Sequence, residues 1–225
     1  MSVKDIVKNI LVERNPLVIR RRKKMRAALK NTAPTFLCPN CIGGILLHDL
    51  GLQFRSPTVN TMMTQRDFKK FVLDLDHYLE QELEFFDHPE HDYPCAKLDD
   101  VTIHFTHYHT EAEAAEKWKA RTARMDRENL FVFLFERDGL TEEEIRALSG
   151  IHARGLVVFT AKAYPDIPYA LQIPKYADTG EVGNILEKSW LDGSREYEKY
   201  FDFVKWFNEA DGTFDVIPYK KKVKA

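Results

Sequence analysis

The spacing of hydrophobic and polar residues predicts a series of short strands separated by helices. The segments TFLC, NLFVFLFE and GLVVFT are almost wholly apolar over a few residues, which is typical of buried strands. VTIHFTHYH alternates between polar and apolar positions, which is also typical of a strand. The chain therefore offers four strands to a sheet.

The segments between these strands have helical periodicity. TQRDFKKFVLDLDHYLEQELEFF repeats apolar residues at helical spacing, and Thr64 is its predicted N-cap. TEAEAAEKWKARTARM has an acidic start and a basic end that suit the helix macrodipole. Thr141 caps a further predicted helix, and SREYEKYFDFVKWFNEA predicts a terminal amphipathic helix rich in aromatic residues.

Alternation of strands and helices determines the predicted architecture. Strand, helix, strand, helix, strand is the pattern of a parallel sheet covered on both faces. The predicted fold is therefore α/β, a single three-layer Rossmann-like domain with a mostly parallel sheet over residues 33–225. Residues 1–32 are predicted to form a separate basic amphipathic segment.

The composition is that of an ordinary folded protein. Hydrophobic residues make up 44% and charged residues 30% of the 225-residue chain, and its longest apolar runs are far shorter than the roughly 20 residues that cross a bilayer. The N-terminus lacks the uninterrupted apolar core of a secretory signal, so we expect a cytoplasmic protein. Three cysteines are too few for a disulfide framework, and we expect free thiols.

Charge is segregated along the chain. Residues 1–30 carry ten lysines and arginines against Asp5 and Glu13, a balance of +8, whereas the rest carries 23 basic and 33 acidic residues, or −10. The basic run 20–24 follows several apolar residues and indicates contact with anionic lipid, acidic partners or polyphosphate. The alternative is a solvated arm. On the first interpretation residues 1–30 give the protein a peripheral contact with the inner face of the membrane, and no nucleic-acid partner is expected.

The stretch FLCPNCIGG raises three interpretations of its two cysteines. Cys38 and Cys41 have the two-residue spacing of half a zinc site, but the chain offers no matching second half, so no metal and no cofactor are expected. A thioredoxin-type pair belongs at the start of a helix, and Gly43 and Gly44 are poor helix starters. The third interpretation is a strand that ends and presents Cys41 at the carboxyl edge of a parallel sheet, where ligands bind in such folds.

Two glycines after Cys41 favour a reactive thiol. They allow the chain to turn sharply and bring backbone N–H groups within reach of an oxyanion. A helix that begins nearby would direct its positive end at the sulfur. The alternative is a buried cysteine that acts only as a small hydrophobic residue.

A histidine in the alternating strand is the predicted partner of this thiol. His107 continues the inward row of Ile103 and Phe105 to the end of its strand. A Cys41–His107 pair would be a nucleophile and its base, with Asp49, Asp99 or Asp100 orienting the imidazole. Asp49 is the carboxylate we select. A core or surface histidine remains the alternative.

Basic residues in the second predicted helix suggest a phosphate site. Lys117, Arg121 and Arg124 recur along one helical face and could clamp a diphosphate. A solvated helix face is an equal alternative. Neither a GxGxxG nor a GxxxxGK[ST] motif is present, so classical dinucleotide and P-loop sites are not supported.

The ordered set of motifs resembles a bacterial family of unknown function whose members are described as exopolysaccharide biosynthesis proteins. The resemblance covers roughly residues 35–160 and departs from the family pattern at Cys38, which leaves Cys41 as the residue of interest. The matching positions are Asn40, Cys41, Gly43, Gly44, Ser56-Pro57-Thr58, His107-Tyr108, Trp118 and Arg121.

The resemblance implies an α/β fold and a role in making or modifying surface polysaccharide. We expect a transferase that moves a glycosyl or acyl group from an activated donor to a sugar or lipid-linked saccharide. Cys41 and His107 would act in catalysis, and Arg121 with Arg124 would bind donor phosphates. Substrate contacts are expected at Asn40, Gly43, Gly44, Ser56, Tyr108 and Trp118. The alternatives are a papain-like cysteine hydrolase that uses the same pair, and a non-catalytic adaptor of polysaccharide assembly.

Overall fold

A computed structural model describes residues 13–214 as a mixed α/β structure. Within that range no helix combines the length and hydropathy needed to span a bilayer. The strands are β1 (Thr35–Leu37), β2 (Glu84–Phe86), β3 (Cys95–Leu98), β4 (Val101–His104), β5 (Leu130–Phe135), β6 (Gly155–Thr160) and β7 (Ala170–Gln172). The α-helices are α1 (Pro16–Ala28), α2 (Ile42–Leu50), α3 (Gln65–Leu73), α4 (Leu75–Glu80), α5 (Glu111–Thr122), α6 (Glu142–Ala147) and α7 (Phe203–Glu209).

Four strands form a parallel sheet in the order β1-β5-β6-β7. Every residue of β5 and β6 is buried, as expected of strands covered on both faces. Leu130, Val132 and Leu134 face a core shared with α3, α4 and α5. Phe131, Phe133 and Phe135 face a second core shared with α2 and α7. The predicted α/β class and its parallel sheet are confirmed.

A second, antiparallel sheet contains the histidine strand. Its order is β2-β3-β4, and Leu98 pairs with Val101 across a two-residue turn. Asp99 adopts the left-handed conformation in this turn, with φ of 56°, which a short polar side chain tolerates. The expectation that β4 joins the parallel sheet is therefore wrong, because the turn folds β4 back onto β3.

Helix starts follow the predicted caps. The side chains of Thr64 and Thr141 accept hydrogen bonds from the third backbone N–H of α3 and α6. The long helix predicted after Thr64 is shorter than expected, because Asp74 leaves the helical region and separates α3 from α4. The last part of that segment is β2.

Aromatic residues near the C-terminus cover one face of the parallel sheet. The predicted terminal helix is divided into a 3-10 turn (Glu196–Lys199) and α7. Phe203 and Phe207 are buried, and their ring centroids lie 6.1 and 5.4 Å from that of Phe36 in β1. The edge-to-face angles of these pairs are the favoured aromatic geometry. This packing fixes β1, whose end carries the cysteines.

The first helix is attached to the α/β body. Val18 of α1 is fully buried, Arg22 forms an ion pair with Asp49 at 2.7 Å, and Arg26 donates a hydrogen bond to the Asp49 carbonyl at 2.9 Å. Residues 13–28 are thus packed against α2 instead of forming a separate arm. The rest of the predicted N-terminal segment, residues 1–12, lies outside the described residues.

Glu144 joins α6 to α3 and should make folding sensitive to acid. Its carboxylate accepts a hydrogen bond from the backbone N–H of Thr141 and contacts Lys69 at 3.0 Å and Arg66 at 3.3 Å. Burial tends to raise the pKa of Glu144, but the Thr141 N–H and the two cations outweigh it and lower the pKa to about 2. Because the folded pKa is depressed, this stabilisation is present above the ordinary value of 4.5 and is lost as the pH falls toward 2.

We therefore expect Glu144→Gln to flatten the acid dependence of stability. Urea unfolding between pH 5 and about 2 should show a shallower decline in the free energy of unfolding for the variant than for the wild type. Its exposed neighbour Glu143 is the matched control, and Glu143→Gln should retain the wild-type slope. Equal slopes for all three proteins would contradict the assignment.

Candidate active site

Two backbone bridges bring the ends of β1 and β4 together. Just after β1, the carbonyl of Pro39 accepts a hydrogen bond from the N–H of Met63 at 2.9 Å. The neighbouring Met62 exchanges two backbone hydrogen bonds with His104, the last residue of β4, at 2.8 and 2.9 Å. The segment at residues 62–63 therefore links the carboxyl edge of the parallel sheet to the end of the antiparallel sheet.

Cys41 and His107 lie side by side at this junction. Cys41 precedes α2, and its Sγ is 3.1 Å from Nε2 of His107. The strand ends at His104, so His107 stands in an exposed turn and does not continue the inward row of Ile103 and Phe105 as the sequence pattern suggests. The structure nevertheless brings together the thiol and the imidazole that the sequence pairs.

The burial of Cys41 favours the neutral form of its thiol. The side chain is partly buried, and burial raises its pKa, while the Thr106 hydroxyl and the backbone N–H of Cys41 act in the opposite direction. The Thr106 Oγ1 is buried and makes no hydrogen bond of regular geometry with another group in residues 13–214. It is thus free to donate to a thiolate or to an oxyanion formed beside the sulfur.

Thr106 is a site residue that sequence reasoning missed. Its only signal is its place next to His107, because a threonine at the end of an alternating strand is ordinarily a β-forming residue.

Cys38 plays a different part from Cys41. Its thiol is fully buried, and burial raises its pKa to about 12. Asn40 Oδ1 lies 3.5 Å from this sulfur and accepts a hydrogen bond from the Ile42 N–H at 3.0 Å. Asn40, predicted to contact substrate, thus uses its carbonyl oxygen to hold the start of α2. Among residues 13–214, no group of three histidine, cysteine, aspartate or glutamate side chains is placed to hold a metal ion.

The two glycines allow α2 to approach its neighbours closely. Both glycines lie inside α2. The chain does not turn sharply at them, as the sequence suggests, but continues as a helix. A Cβ at Gly43 would lie 3.2 Å from the Cβ of Cys38, and one at Gly44 would lie 2.7 Å from Oδ1 of Asn60. Both glycines are buried, and their contact with a substrate stays a prediction.

Ser56 and Thr58 support the end of β1 from behind. The Thr58 hydroxyl accepts a hydrogen bond from the Cys38 N–H at 3.2 Å and lies 2.9 Å from the Ser56 hydroxyl. Both side chains are buried. Ser56 therefore packs behind Cys38, at the end of β1, and does not lie on the surface that carries Cys41.

Arg121 and Tyr108 form a buried hydrogen-bond network with Val59, in the loop that also contains Ser56 and Thr58. The Arg121 guanidinium donates to the Val59 carbonyl at 2.6 Å and to the Tyr108 hydroxyl, and that hydroxyl donates to the Val59 carbonyl at 3.1 Å. Arg121 is only 8% exposed, and its guanidinium lies 5.4 Å from the ring centroid of Phe54. The Nη1 group of Arg121 is therefore bound within the fold, and the contact of Arg121 with a donor phosphate stays a prediction.

The other two residues predicted to bind substrate also have contacts inside the fold. Arg124 donates a hydrogen bond to the Phe54 carbonyl at 3.0 Å. Trp118 is buried, with its ring centroid 6.0 Å from that of Phe71 and 6.1 Å from that of Phe105. Neither side chain is brought to the Cys41–His107 pair.

No predicted carboxylate reaches His107. Asp49 lies at the far end of α2, eight residues or about 12 Å along the helix from Cys41, and forms an ion pair with Arg22. Asp99 lies 2.8 Å from His77, and Asp100 bonds to Lys70 and Tyr78. Among residues 13–214 the pair is thus a dyad without an orienting carboxylate.

Clefts also lie away from the dyad in residues 13–214. One cleft of about 280 Å³ is lined by Arg154, Lys205, Trp206 and Phe214 at the amino end of β6, whereas Cys41 follows the carboxyl end of β1. The chemistry of the dyad argues for its own site more strongly than the shape of this cleft does, because the lining of the cleft contains neither a thiol nor an imidazole.

The fold and the site define a mixed α/β protein with a cysteine–histidine pair at the carboxyl edge of a parallel sheet. Comparison with known proteins gives the family. Residues 13–208 match the model of a domain of unknown function, DUF1919, and the chain belongs to that family. It is also 40% identical over 204 residues to an uncharacterised protein of Haemophilus influenzae, covering 91% of this chain and 97% of that protein. The match extends well beyond the residues 35–160 of the motif resemblance.

Proposed function

We propose that this protein transfers an acyl group through a thioester on Cys41. The observation that carries the proposal is the 3.1 Å separation of Cys41 Sγ and His107 Nε2. That distance allows direct proton transfer between a nucleophile and its base. Of the glycosyl and acyl alternatives, acyl transfer is the better supported, since Arg121 and Arg124 each donate a hydrogen bond to a backbone carbonyl of the fold, which leaves fewer N–H groups for the phosphates of a glycosyl donor.

The chemistry begins with a neutral thiol. His107 takes the thiol proton as the sulfur attacks the carbonyl carbon of an activated acyl donor, and the C–S bond forms. The carbonyl oxygen becomes an oxyanion beside the Cys41 N–H and the Thr106 hydroxyl. When it collapses, the bond to the leaving group breaks, and His107 returns the proton to that group. An acceptor hydroxyl then attacks the thioester while His107 takes its proton. The ester C–O bond forms, the C–S bond breaks, and His107 returns the proton to the Cys41 sulfur.

The acceptor is proposed to be a saccharide hydroxyl, in the synthesis or modification of surface polysaccharide. Support for this part comes from the motif resemblance alone. We also propose that the protein is cytoplasmic, as expected from the sequence. We further propose that the parallel sheet, with both faces covered, is the centre of a single three-layer Rossmann-like domain.

A cysteine hydrolase is the second candidate. His107 is exposed, so water can reach the thioester as readily as an alcohol can. The two functions share the acyl-enzyme and differ in the group that removes the acyl chain.

The proposal is tested with p-nitrophenyl acetate, a generic activated ester. We expect release of p-nitrophenol with one acetyl group on the peptide that contains Cys41, detected by mass spectrometry after an acid quench. Cys41→Ala should abolish this acetylation. The retained Cys38 and Cys95 are internal controls, because both are buried thiols. Acetylation of all three cysteines at similar rates, or of none, would overturn the proposal. Added glucose or glycerol that accelerates deacylation with formation of its ester would favour the transferase over the hydrolase.

A further inference from the structure

Exposed hydrophobic side chains are concentrated at the start of α1. Large hydrophobic residues exposed in residues 13–214 include Leu17 at 46%, Ile19 at 53%, Trp190 at 75% and Leu191 at 54%. The first two belong to the first turn of α1, and the other two to the loop before the Glu196–Lys199 turn. An exposed tryptophan beside three exposed aliphatic residues marks an interaction surface.

Specific contacts hold the loop against the helix. The Asn15 side chain caps α1 by accepting from the Leu17 N–H at 2.9 Å, and it donates to the Leu191 carbonyl at 2.8 Å. Gly193 has φ of 71°, and a Cβ there would lie only 3.0 Å from a methyl group of Val18. Trp190 and Leu191 are thus presented by a loop packed tightly on buried Val18, and not by a free chain.

Unpaired cations flank these hydrophobic side chains. Arg20, Lys23 and Lys24 are exposed on the outer face of α1, and they make no ion pair among residues 13–214. Glu13 is neutralised by ion pairs, and the one negative charge of Asp192 is outnumbered by these three cations. Glu13 contacts Arg22 and Lys188, and Asp192 accepts hydrogen bonds from Ser194. The surface is therefore hydrophobic and positively charged.

We propose that this docking surface, formed by Leu17, Ile19, Lys23, Lys24, Trp190 and Leu191, binds an anionic lipid bilayer. Tryptophan prefers the boundary between headgroups and acyl chains, and adjacent aliphatic side chains enter the acyl layer. Each lysine or arginine near an anionic leaflet adds electrostatic attraction. Charge complementarity selects a bilayer over a second copy of the chain, because two such surfaces would bring like charges together. The inference does not depend on the chemistry of Cys41.

The surface is wider than the N-terminal segment that the sequence indicates. Trp190 and Leu191 lie more than 150 residues further along the chain, and only the fold brings them beside α1.

Vesicle sedimentation with the full chain tests the inference. The wild type should bind vesicles that contain phosphatidylglycerol, bind phosphatidylcholine vesicles weakly, and lose affinity as salt is added. The double variant Trp190→Ser with Leu191→Ser should bind these vesicles with an affinity lower by about tenfold, since it removes the inserting side chains. Lys23→Glu with Lys24→Glu should remove the preference for phosphatidylglycerol.

The matched control is Leu73→Ser, which removes an exposed leucine at the end of α3. It should bind vesicles as the wild type does. Failure of the wild type to bind phosphatidylglycerol vesicles would overturn the inference, as would unchanged binding by the Trp190/Leu191 variant. The inference would also be overturned if the wild type formed a dimer, the Trp190/Leu191 variant were a monomer, and neither bound vesicles. The surface would then be a self-association site.

Discussion

Arg121→Ala is expected to lower the free energy of unfolding by about 3–5 kcal/mol. The guanidinium makes hydrogen bonds to the Val59 carbonyl and the Tyr108 hydroxyl, and bonds to a charged donor are worth about 1.5–3 kcal/mol each. Removal of the side chain also leaves a cavity beside Phe54, which adds to the loss. Urea unfolding followed by circular dichroism gives the measurement.

Two further substitutions identify the cause of the loss. Arg121→Lys should lose about half as much stability, because one ammonium group cannot reproduce the two bonds and the stacking of a planar guanidinium. Lys119→Ala, at an exposed position of the same helix, is the matched control and should change stability by about 0.5 kcal/mol or less. If Arg121→Met were as stable as the wild type, the hydrogen-bond explanation would fail, since packing alone would account for the site.

This network also connects the core to the candidate site. Val59 belongs to the loop that places Thr58 against the Cys38 N–H and Asn60 against α2. A displaced Val59 would therefore loosen the start of α2, where Cys41 is located. Arg121 is accordingly a positioning residue, and Arg121→Lys should slow acylation of Cys41 even under conditions in which the protein remains folded.

Helical spacing alone could not reveal the role of Arg121. Lys117, Arg121 and Arg124 share a face, but the sequence does not show that the loop at residues 54–59 covers part of it. Asp49 was misplaced for a related reason. Its distance from Cys41 in the chain fits an orienting carboxylate only if α2 is absent, and α2 carries Asp49 to the opposite end.

Features that depend on neighbouring residues were easier to predict from the sequence than features that depend on long-range contacts. Thr64 and Thr141 were identifiable because a cap needs only its own side chain and the next turn. The Asp99 hairpin was missed, because Leu98-Asp99-Asp100-Val101 lacks the usual glycine. That hairpin moves β4 to the antiparallel sheet. Cys41 and His107 still lie together, although on different sheets, because the Pro39–Met63 and Met62–His104 hydrogen bonds join the ends of β1 and β4.

His107→Ala is expected to slow acetylation of Cys41 by p-nitrophenyl acetate about 10²–10⁴-fold at neutral pH. Burial raises the pKa of the Cys41 thiol above its ordinary value of 9.0, so the resting thiol is protonated and needs a base as it attacks. The exposed His109, two residues further on, is the matched control, and His109→Ala should react at the wild-type rate. Peptide mass spectrometry on samples quenched at intervals gives the rate constant for Cys41 alone.

The pH dependence separates a base from a merely structural histidine. As the pH rises through the raised thiol pKa, the thiolate forms without help, so the rate of His107→Ala should climb toward that of the wild type. A His107 that only shaped the site would leave a deficit of the same size at every pH. Equal rates for variant and wild type at neutral pH would show that the 3.1 Å contact between Cys41 and His107 carries no proton, and acyl transfer by this dyad would have to be abandoned.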